Sequence, residues 1–182
     1  AKLIKANLQV LIFNQRSIEE ILEVILTIGR IVAAEDKAQK LVDRYKKRLD
    51  KFRENSDKIQ NKPKVYFEEW DDPTFSGIRW VSELIEIAGG EDIFANKSHG
   101  KLAMEREIQW SDVIEKNPDV ILASWCGKPV DIDSIKKREG WNEITAIKND
   151  RIHEIDSSII LQPGPACLTD GLKVLEQLIT SK

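Results

Sequence analysis

Acidic residues gather at the end of the segment KVYFEEW (64–70) and at the start of DDPTFSG (71–77), which follows it. Glu68, Glu69, Asp71 and Asp72 are the residue type of a hard-metal site or of paired-carboxylate hydrolysis. Adjacent residues of a strand point to opposite faces, so these four carboxylates are not expected to converge on one point. The pattern therefore favours solvated loop charge over a carboxylate active site.

Tryptophans supply a second kind of chemistry, because an indole ring combines a flat apolar face with one N–H donor. Such a ring suits a large planar ligand with polar edges. Trp70 and Trp125 follow two predicted strands among Asp, Gly and Pro residues, which favours ligand binding. Trp80 falls in a first helical turn and fits either binding or core packing. Trp110 and Trp141 are expected to pack in the core.

A metal centre or a nucleophilic site would draw on Cys126, His99 and His153. No CxxC, HxxxH or HxH spacing supports a metal site, and His153 falls inside a predicted strand without an evident Asn or Asp partner. The phosphate-binding patterns GxGxxG and GxxxxGK[ST] do not occur. The sequence therefore predicts no catalytic residue, resident metal or cofactor. Whether Cys126 and Cys167 form a disulfide or stay as thiols is left open.

The segment 64–94 reads as half of a βαβ unit. Apolar and polar residues alternate through KVYFEEW as in a strand, and apolar residues recur at helical spacing through IRWVSELIEIAGG (78–90). Gly89 is expected to end that helix in the left-handed conformation. In open α/β sheets, ligands bind at the carboxyl ends of the strands. The first site candidates by this topology are Glu69, Trp70, Asp71 and Phe75.

Strand and helix continue to alternate after residue 94. DVILAS (119–124) and RIHEI (151–155) read as strands. Helices are expected over residues 111–116 with Ser111 as cap, and over 131–137, 141–147 and 168–179. Right-handed crossovers would bring the loops EWDDPTFSG, WCGKPV and DSSIILQPGP to one rim of the sheet. The fold class predicted is α/β, a three-layer Rossmann-like lobe with a mostly parallel sheet.

The N-terminal third has a different organisation. LQVLIF (8–13) reads as a buried strand, and Ser17 with Glu20 has the spacing of a capping box that opens a helix. Residues 35–59 are strongly charged around a narrow apolar stripe, which predicts a helix of about 35 to 40 Å that links two bodies. One strand and one helix cannot close a sheet, so an upstream segment or another chain is expected to complete it.

The charge balance argues against nucleic acid as a partner. Charged residues make up 32% of the 182 residues and nearly cancel, leaving a net charge of −3. A nucleic-acid-binding chain would show a basic patch instead. No apolar run approaches about 18 residues, and no signal peptide opens the chain.

Several segments together resemble the helical-backbone class, class III, of solute-binding proteins. These proteins serve ATP-binding-cassette importers of cobalamin, iron-siderophores and haem. The resemblance covers nearly the whole chain and is strongest to the cobalamin-binding branch. The motifs that carry it are EEWDDP (68–73), SGIRWVSELIEIAGGEDIF (76–94), NPDVIL (117–122), SWCGKP (124–129) and QPGPACLTDGL (162–172).

The resemblance implies two α/β lobes joined by a rigid helix, with the ligand held between them. Residues 1–33 correspond to the βα end of a first lobe, 34–61 to the linking helix and 62–182 to the second lobe. The implied role is extracytoplasmic carriage of cobalamin or another metal chelate, not catalysis. The implied partners are a membrane permease and its ATPase. A first lobe or a second chain is needed to complete the cleft.

The resemblance also implies roles for single residues. Trp70, Trp80 and Trp125 would supply faces to a corrin ring. Gln162 and the backbones of Gly127 and Gly164 would supply hydrogen bonds, and the Cys126 thiolate is a candidate cobalt ligand. The family presents a Glu to the permease at the position of Ser111 here, where Asp112 and Glu107 are the nearby acidic residues.

Other readings of the same residues stay open at this point. A siderophore- or haem-binding protein of the same class fits the resemblance nearly as well. An intracellular α/β enzyme or metal-binding domain would use Cys126 and the acidic loop. An interaction module would complete its sheet through residues 8–30 with another chain.

Overall fold

The structure is a computed structural model that describes residues 5–181. The helices are α1 Ile18–Ile31, α2 Glu35–Ser56, α3 Arg79–Ile87, α4 Trp110–Lys116, α5 Ile132–Lys136, α6 Thr145–Lys148, α7 Ser157–Ile160 and α8 Leu172–Thr180. The strands are β1 Lys64–Asp71, β2 Thr74–Ser76, β3 Glu91–Asp92, β4 Val120–Ala123 and β5 Ile152–Glu154.

Strand β1 is the centre of the sheet. On one side it pairs in parallel with β4, which pairs in parallel with β5. On the other side it pairs in parallel with β3 near its start and antiparallel with β2 near its end. The sheet is therefore mostly parallel, as the sequence predicts. Strand β2 and the turn that joins it to β1 fall in the segment 71–77, which was expected to be a loop.

Both faces of the sheet are covered, which explains the nearly continuous apolar sequences of β1 and β4. One face packs against α1, α2, α3 and α8, and its strand residues are Val65, Phe67, Val120 and Leu122. The opposite face packs against the shorter helices and Trp141, and its strand residues are Tyr66, Ile121, Ala123 and Ile152. The predicted three-layer α/β architecture is confirmed.

The N-terminal helices attach firmly to this lobe. Ser17 caps α1 as predicted, since its hydroxyl accepts from the Glu20 N–H at 3.2 Å and Glu20 accepts in return from the Ser17 N–H at 3.2 Å. The Ile18 N–H donates to Glu83 of α3 at 2.7 Å. Helix α2 buries its predicted apolar stripe, including Val42 and Leu49, in the same core.

The strand expected at Leu8–Phe13 is wrong. The segment belongs to no strand, and Leu11 and Ile12 are 66% and 83% exposed. A strand exists through hydrogen bonds to a neighbour, and no strand within residues 5–181 pairs with this segment. Apolar composition alone therefore did not produce a strand here.

Smaller corrections concern the ends of elements. Helix α4 begins at Trp110 with Gln109 as its N-cap, so Ser111 lies inside the first turn. The helix expected over 141–147 is a 3₁₀ turn, Trp141–Glu143, followed by α6. The last helix begins with a π turn at Cys167–Gly171 before α8. The loop 156–165 contains α7, which Asp156 caps by accepting from the Ser158 N–H.

Bilayer crossing needs a helix of about 20 apolar residues. Between residues 5 and 181, no helix has both that length and that apolar character.

Candidate functional site

The carboxyl ends of β1, β4 and β5 meet at one edge of the sheet because the three strands are parallel. Trp70 and Asp71 close β1, and Trp125 follows β4 by two residues. Gly127, with a φ of +84°, turns the loop after β4 away from the sheet in a conformation that favours glycine. The predicted rim of strand-end loops therefore exists.

Lys128 brings three of the predicted site residues together. Its Nζ lies 4.5 Å from the centroid of the Trp70 ring and 4.7 Å from that of the Trp125 ring. The same ammonium donates to both carboxylate oxygens of Asp71, at 2.8 and 2.9 Å. We call Trp70, Asp71, Trp125 and Lys128 the mouth. Two of these residues, Trp125 and Lys128, also line a depression of about 530 Å³ together with Glu154 and Asp156.

The mouth carries a firmly ionised carboxylate. Burial of the Asp71 carboxyl by itself would raise its pKa. The hydrogen bonds from Lys128 and from the backbone outweigh burial, so the pKa of Asp71 lies below its ordinary value. Asp71 therefore stays ionised under ordinary conditions.

A buried ion pair lies beneath the mouth. The Glu68 side chain is 0% exposed and accepts from Arg138 at 2.5 and 3.0 Å. Glu68 also accepts from the Tyr66 hydroxyl at 3.0 Å and from the Trp125 ring N–H at 3.2 Å. We call Tyr66, Glu68 and Arg138 the floor. The expectation of solvated charge is wrong for Glu68, because this carboxylate is fully buried and positions the Trp125 ring.

The guanidinium of the floor is held by aromatic rings. Arg138 Cζ lies 4.8 Å from the Trp110 centroid and 4.6 Å from the Trp141 centroid, so the guanidinium makes cation–π contacts with two rings that are themselves packed edge to face. Burial, followed by the negative charge and the hydrogen bond of Glu68, raises the pKa of Tyr66 well above its ordinary value. Tyr66 therefore remains a neutral hydroxyl that donates to Glu68.

Glu69 belongs to a separate ion pair. Arg106 donates to its two oxygens at 2.6 and 2.8 Å, and the Ile78 N–H donates at 3.0 Å. Arg106 also donates to the Ser76 carbonyl at 2.6 Å. The side chains of Glu69 and Arg106 are 21% and 4% exposed. This carboxylate fastens the hairpin and α3 to the lobe, so solvated charge is a wrong expectation here as well.

Trp80 was a candidate ligand face, and the structure places it in the core. The residue is 5% exposed, and its ring N–H donates to the Ile160 carbonyl at 2.9 Å. Trp141 is fully buried, in agreement with the core role expected for it, whereas Trp110 is 43% exposed. Trp125 is also buried, at 4% exposed, and packs in the core cluster on the Trp141 face of the sheet, whereas Trp70 is half-buried. What distinguishes Trp70 and Trp125 from the other tryptophans is that both rings contact the Lys128 ammonium.

The other predicted residues fall in different places. Phe75 lies half-buried in β2 opposite Trp70, and Cys126 is exposed beside Gly127. Gly164 lines an apolar groove of about 490 Å³ between the loop 163–165 and α1, apart from the depression at the mouth. Gln162 is exposed next to that groove in sequence. The structure therefore does not join Gly164 to the Trp70–Trp125 pair.

The two cysteines are free thiols. Cys126 is exposed, whereas Cys167 is buried and donates to the Gly164 carbonyl at 3.0 Å. Burial raises the pKa of the Cys167 thiol. Within residues 5–181, His, Cys, Asp and Glu side chains form no group of three that could hold a metal ion.

The predicted docking residues stand on the first turn of α4. Ser111 is exposed and Asp112 is half-buried. Asp112 Oδ2 lies 3.4 Å from the Gln109 N–H, a long contact at the helix start. A permease contact at these residues stays a prediction.

The scan of protein families finds one model over most of the chain. The model is described as "Periplasmic binding protein" and matches residues 1–159. This chain belongs to the periplasmic binding protein family. The family and its helical-backbone class were the prediction made from the motifs around EEWDDP and QPGP, which is confirmed.

Relatives and solved structures agree with this family. An uncharacterized ABC transporter substrate-binding lipoprotein of Bacillus subtilis is 28% identical over 96% of this chain and 54% of its own length. A vitamin B12-binding protein of Vibrio parahaemolyticus is 26% identical over 66% of this chain and 42% of its length. The crystal structure of a possible iron-binding periplasmic solute-binding protein of Staphylococcus epidermidis aligns with a TM-score of 0.82 at 26% identity, covering 99% of this chain and 69% of that one. This chain spans about half the length of the curated relatives it matches.

Sequence reasoning about this periplasmic binding protein missed three cations: Arg106, Lys128 and Arg138. Arg138 meets Glu68 across 70 residues of sequence, and Lys128 meets Asp71 across 57. No local spacing encodes such contacts. The available signal was the excess of carboxylates after a buried strand, since buried carboxylates require partners.

Proposed function

We propose that this chain forms the second lobe and linking helix of an ABC-importer solute-binding protein that carries cobalamin or a related corrinoid. The proposal assigns carriage and no catalysis to the mouth. The opposite wall of the cleft is assigned to a first lobe or to a second chain. Residues 1–33, 34–61 and 62–182 are the proposed end of the first lobe, linking helix and second lobe.

The observation that carries the proposal is the pair of indole faces at the mouth. Trp70 lies at the end of β1 and Trp125 lies two residues after the adjacent parallel strand β4, at the edge where α/β sheets bind ligands. Flat aromatic walls beside a few convergent polar groups are typical of sites for large organic ligands. A corrinoid offers a broad apolar ring bordered by amide side chains. The vitamin B12-binding relative from Vibrio parahaemolyticus supports this choice of ligand.

The remaining site residues have proposed roles around that pair. Phe75 and Gly127 would contact the ring edge, and Cys126 is proposed as a cobalt ligand only when its thiol is deprotonated. Gln162 and Gly164 would lie farther along the cleft. Outside the cytoplasm, Ser111 and Asp112 would face a membrane permease, which in turn works with an ATPase.

Calorimetric titration tests the proposal. Cobalamin, haem and a ferric siderophore are titrated into the 182-residue chain and into a form of the protein extended upstream. Tight cobalamin binding is expected only for the extended form, because the mouth supplies one wall. Trp70→Ala and Trp125→Phe are expected to weaken that binding at least about tenfold, equivalent to about 1.4 kcal/mol.

Ile31→Ala is the control, because Ile31 is an exposed apolar residue at the end of α1. Urea unfolding of every variant separates lost binding from lost folding. The corrinoid assignment fails if neither form of the protein binds cobalamin.

Iron-chelate transport is the second candidate. It is favoured by the Staphylococcus epidermidis structure described as possible iron-binding, which is similar over nearly the whole chain. Tighter binding of the ferric siderophore or of haem than of cobalamin in the same titration would favour iron-chelate transport.

A further inference from the structure

Lys128 covers both indole rings at the mouth, and with Lys128 in place Trp125 is 4% exposed. Its ammonium lies within 4.7 Å of the centroids of both Trp70 and Trp125. A cation over the face of Trp is attracted by the ring quadrupole, and two faces around one cation form an aromatic cage. The mouth is therefore already filled by a cation that belongs to the protein itself.

The position of Lys128 depends on these contacts and little on packing. The side chain is 41% exposed and stands in the exposed loop 126–129. A Cβ placed on the preceding Gly127 would meet no atom within 4 Å, so there is open space beside the loop at that residue. A lysine side chain is a flexible four-carbon stem with a compact charge. Moving the ammonium out of the cage requires only local rearrangement.

The charges around the mouth favour a cation over an anion. The carboxyl-end edge of the sheet and its ion pairs contain six carboxylates and three cationic side chains. Negative charges therefore exceed positive charges by three. The carboxylates are Glu68, Glu69, Asp71, Asp72, Glu154 and Asp156. Arg106 and Arg138 are committed to Glu69 and Glu68.

An anionic ligand would face a strong competitor for Lys128. Asp71 already accepts from the ammonium through both oxygens, and its pKa lies below its ordinary value. Taking Lys128 from Asp71 would leave that carboxylate unpaired beside the incoming anion. A ligand that stacks between the rings and displaces the ammonium into water avoids this repulsion.

We propose that Lys128 is a built-in occupant of the Trp70–Trp125 cage and that ligand enters by displacing it, so that the mouth selects cationic or uncharged planar ligands over anionic ones. This rests on the proposed function in treating the mouth as the ligand site. Within that function it selects corrinoids over haem carboxylates and anionic ferric siderophores.

Small probes test the inference on the 182-residue chain itself. Methyl viologen serves as a planar dication and naphthalene-1,5-disulfonate as a planar dianion, with binding followed by calorimetry and by the indole N–H signals in NMR spectra. Lys128→Met removes the ammonium and keeps the unbranched stem. It is expected to bind methyl viologen roughly three- to tenfold more tightly than the native chain, because the competing cation–π contact is gone.

Two control variants separate displacement from simple charge. Lys136→Met removes an equal charge from the exposed Lys136–Asp150 pair and is expected to leave binding unchanged. Lys128→Met combined with Asp71→Asn keeps the local net charge of the native mouth. It is expected still to bind methyl viologen more tightly than the native chain, with the Trp70 and Trp125 indole signals shifted.

The inference is overturned if Lys128→Met weakens binding of the disulfonate, since Lys128 would then be the counter-ion of an anion. Unchanged methyl viologen affinity, or undetectable binding by every form, overturns it as well. The small probes differ from cobalamin, and their binding is measured on the 182-residue chain without the upstream extension that cobalamin is expected to need, so the two proposals fail separately.

Discussion

The floor and the mouth lie a few ångströms apart and contain the same kind of ion pair in opposite environments. In the floor, the side chains of Glu68 and Arg138 are 0% and 6% exposed. In the mouth, the side chains of Asp71 and Lys128 are 26% and 41% exposed. Each cation makes cation–π contacts with two tryptophan rings. Burial is therefore the main difference between the two regions.

This difference assigns separate tasks to the two pairs. A buried charge that loses its partner is left without water or a counter-ion, so the floor cannot open without a large loss of stability. An exposed pair exchanges its partner for water at little cost. The floor therefore holds the Trp125 ring in place, and the mouth is the part that can rearrange for a ligand.

The largest expected effect comes from removing the cation of the floor. Arg138→Met keeps an apolar stem against the Trp110 and Trp141 rings but leaves the Glu68 carboxylate buried and unpaired. We expect the free energy of unfolding to fall by about 3 to 5 kcal/mol, as for other buried pairs that lose one partner. Urea unfolding at neutral pH measures this change.

A double variant shows whether the unpaired charge is the cause. Glu68→Gln combined with Arg138→Met removes both charges and leaves an amide to interact with Tyr66 and Trp125. Recovery of at least about 1 kcal/mol relative to Arg138→Met is expected. A single variant that loses less than about 1 kcal/mol would show that the floor is no tighter than an exposed pair.

The floor also marks the limit of what the sequence predicts. Periodicity predicted β1, the stripe of α2 and the Ser17 cap, because each depends on residues close in sequence. The motifs predicted the family. The partner of Glu68 stands 70 residues away and has no local signature, so its burial was not foreseen. The strand predicted at Leu8–Phe13 was wrong for a related reason. Apolar composition predicts a strand, but a strand forms only when a neighbouring strand pairs with it.

An intermediate effect is expected from pH at Asp92, a buried carboxyl outside both regions. Burial raises the pKa of Asp92 above its ordinary value near 3.8, against the opposing hydrogen bonds from Ser82 and the Phe94 N–H. The folded state therefore binds this proton more tightly than the unfolded state. The contribution of Asp92 to stability is greatest below its unfolded pKa and declines as pH rises toward the folded pKa.

Asp92→Asn is accordingly expected to be more stable than the native chain near neutral pH, with the gap closing on acidification. Asp71→Asn is expected to be less stable than the native chain near neutral pH, and this difference is also expected to shrink on acidification. The pKa of Asp71 is lowered, so its contribution is present above the unfolded pKa and is lost as pH falls through the folded pKa. Urea unfolding from about pH 3 to about pH 7 compares both variants, and curves parallel to that of the native chain would refute the assignment.

The smallest expected effect is on the stability of the chain when the mouth loses its cation. Lys128→Met removes an exposed ion pair and a cation–π contact, so we expect the free energy of unfolding to fall by no more than about 1 kcal/mol. Lys136→Met, which breaks another exposed pair, is the matched control. Thermal and urea unfolding of Lys128→Met, Lys136→Met and Arg138→Met, measured under the same conditions, compare the free energies of unfolding of the three variants. If Lys128→Met destabilised the chain as much as Arg138→Met, the mouth would be as rigid as the floor, and a ligand could not displace Lys128 at an acceptable cost.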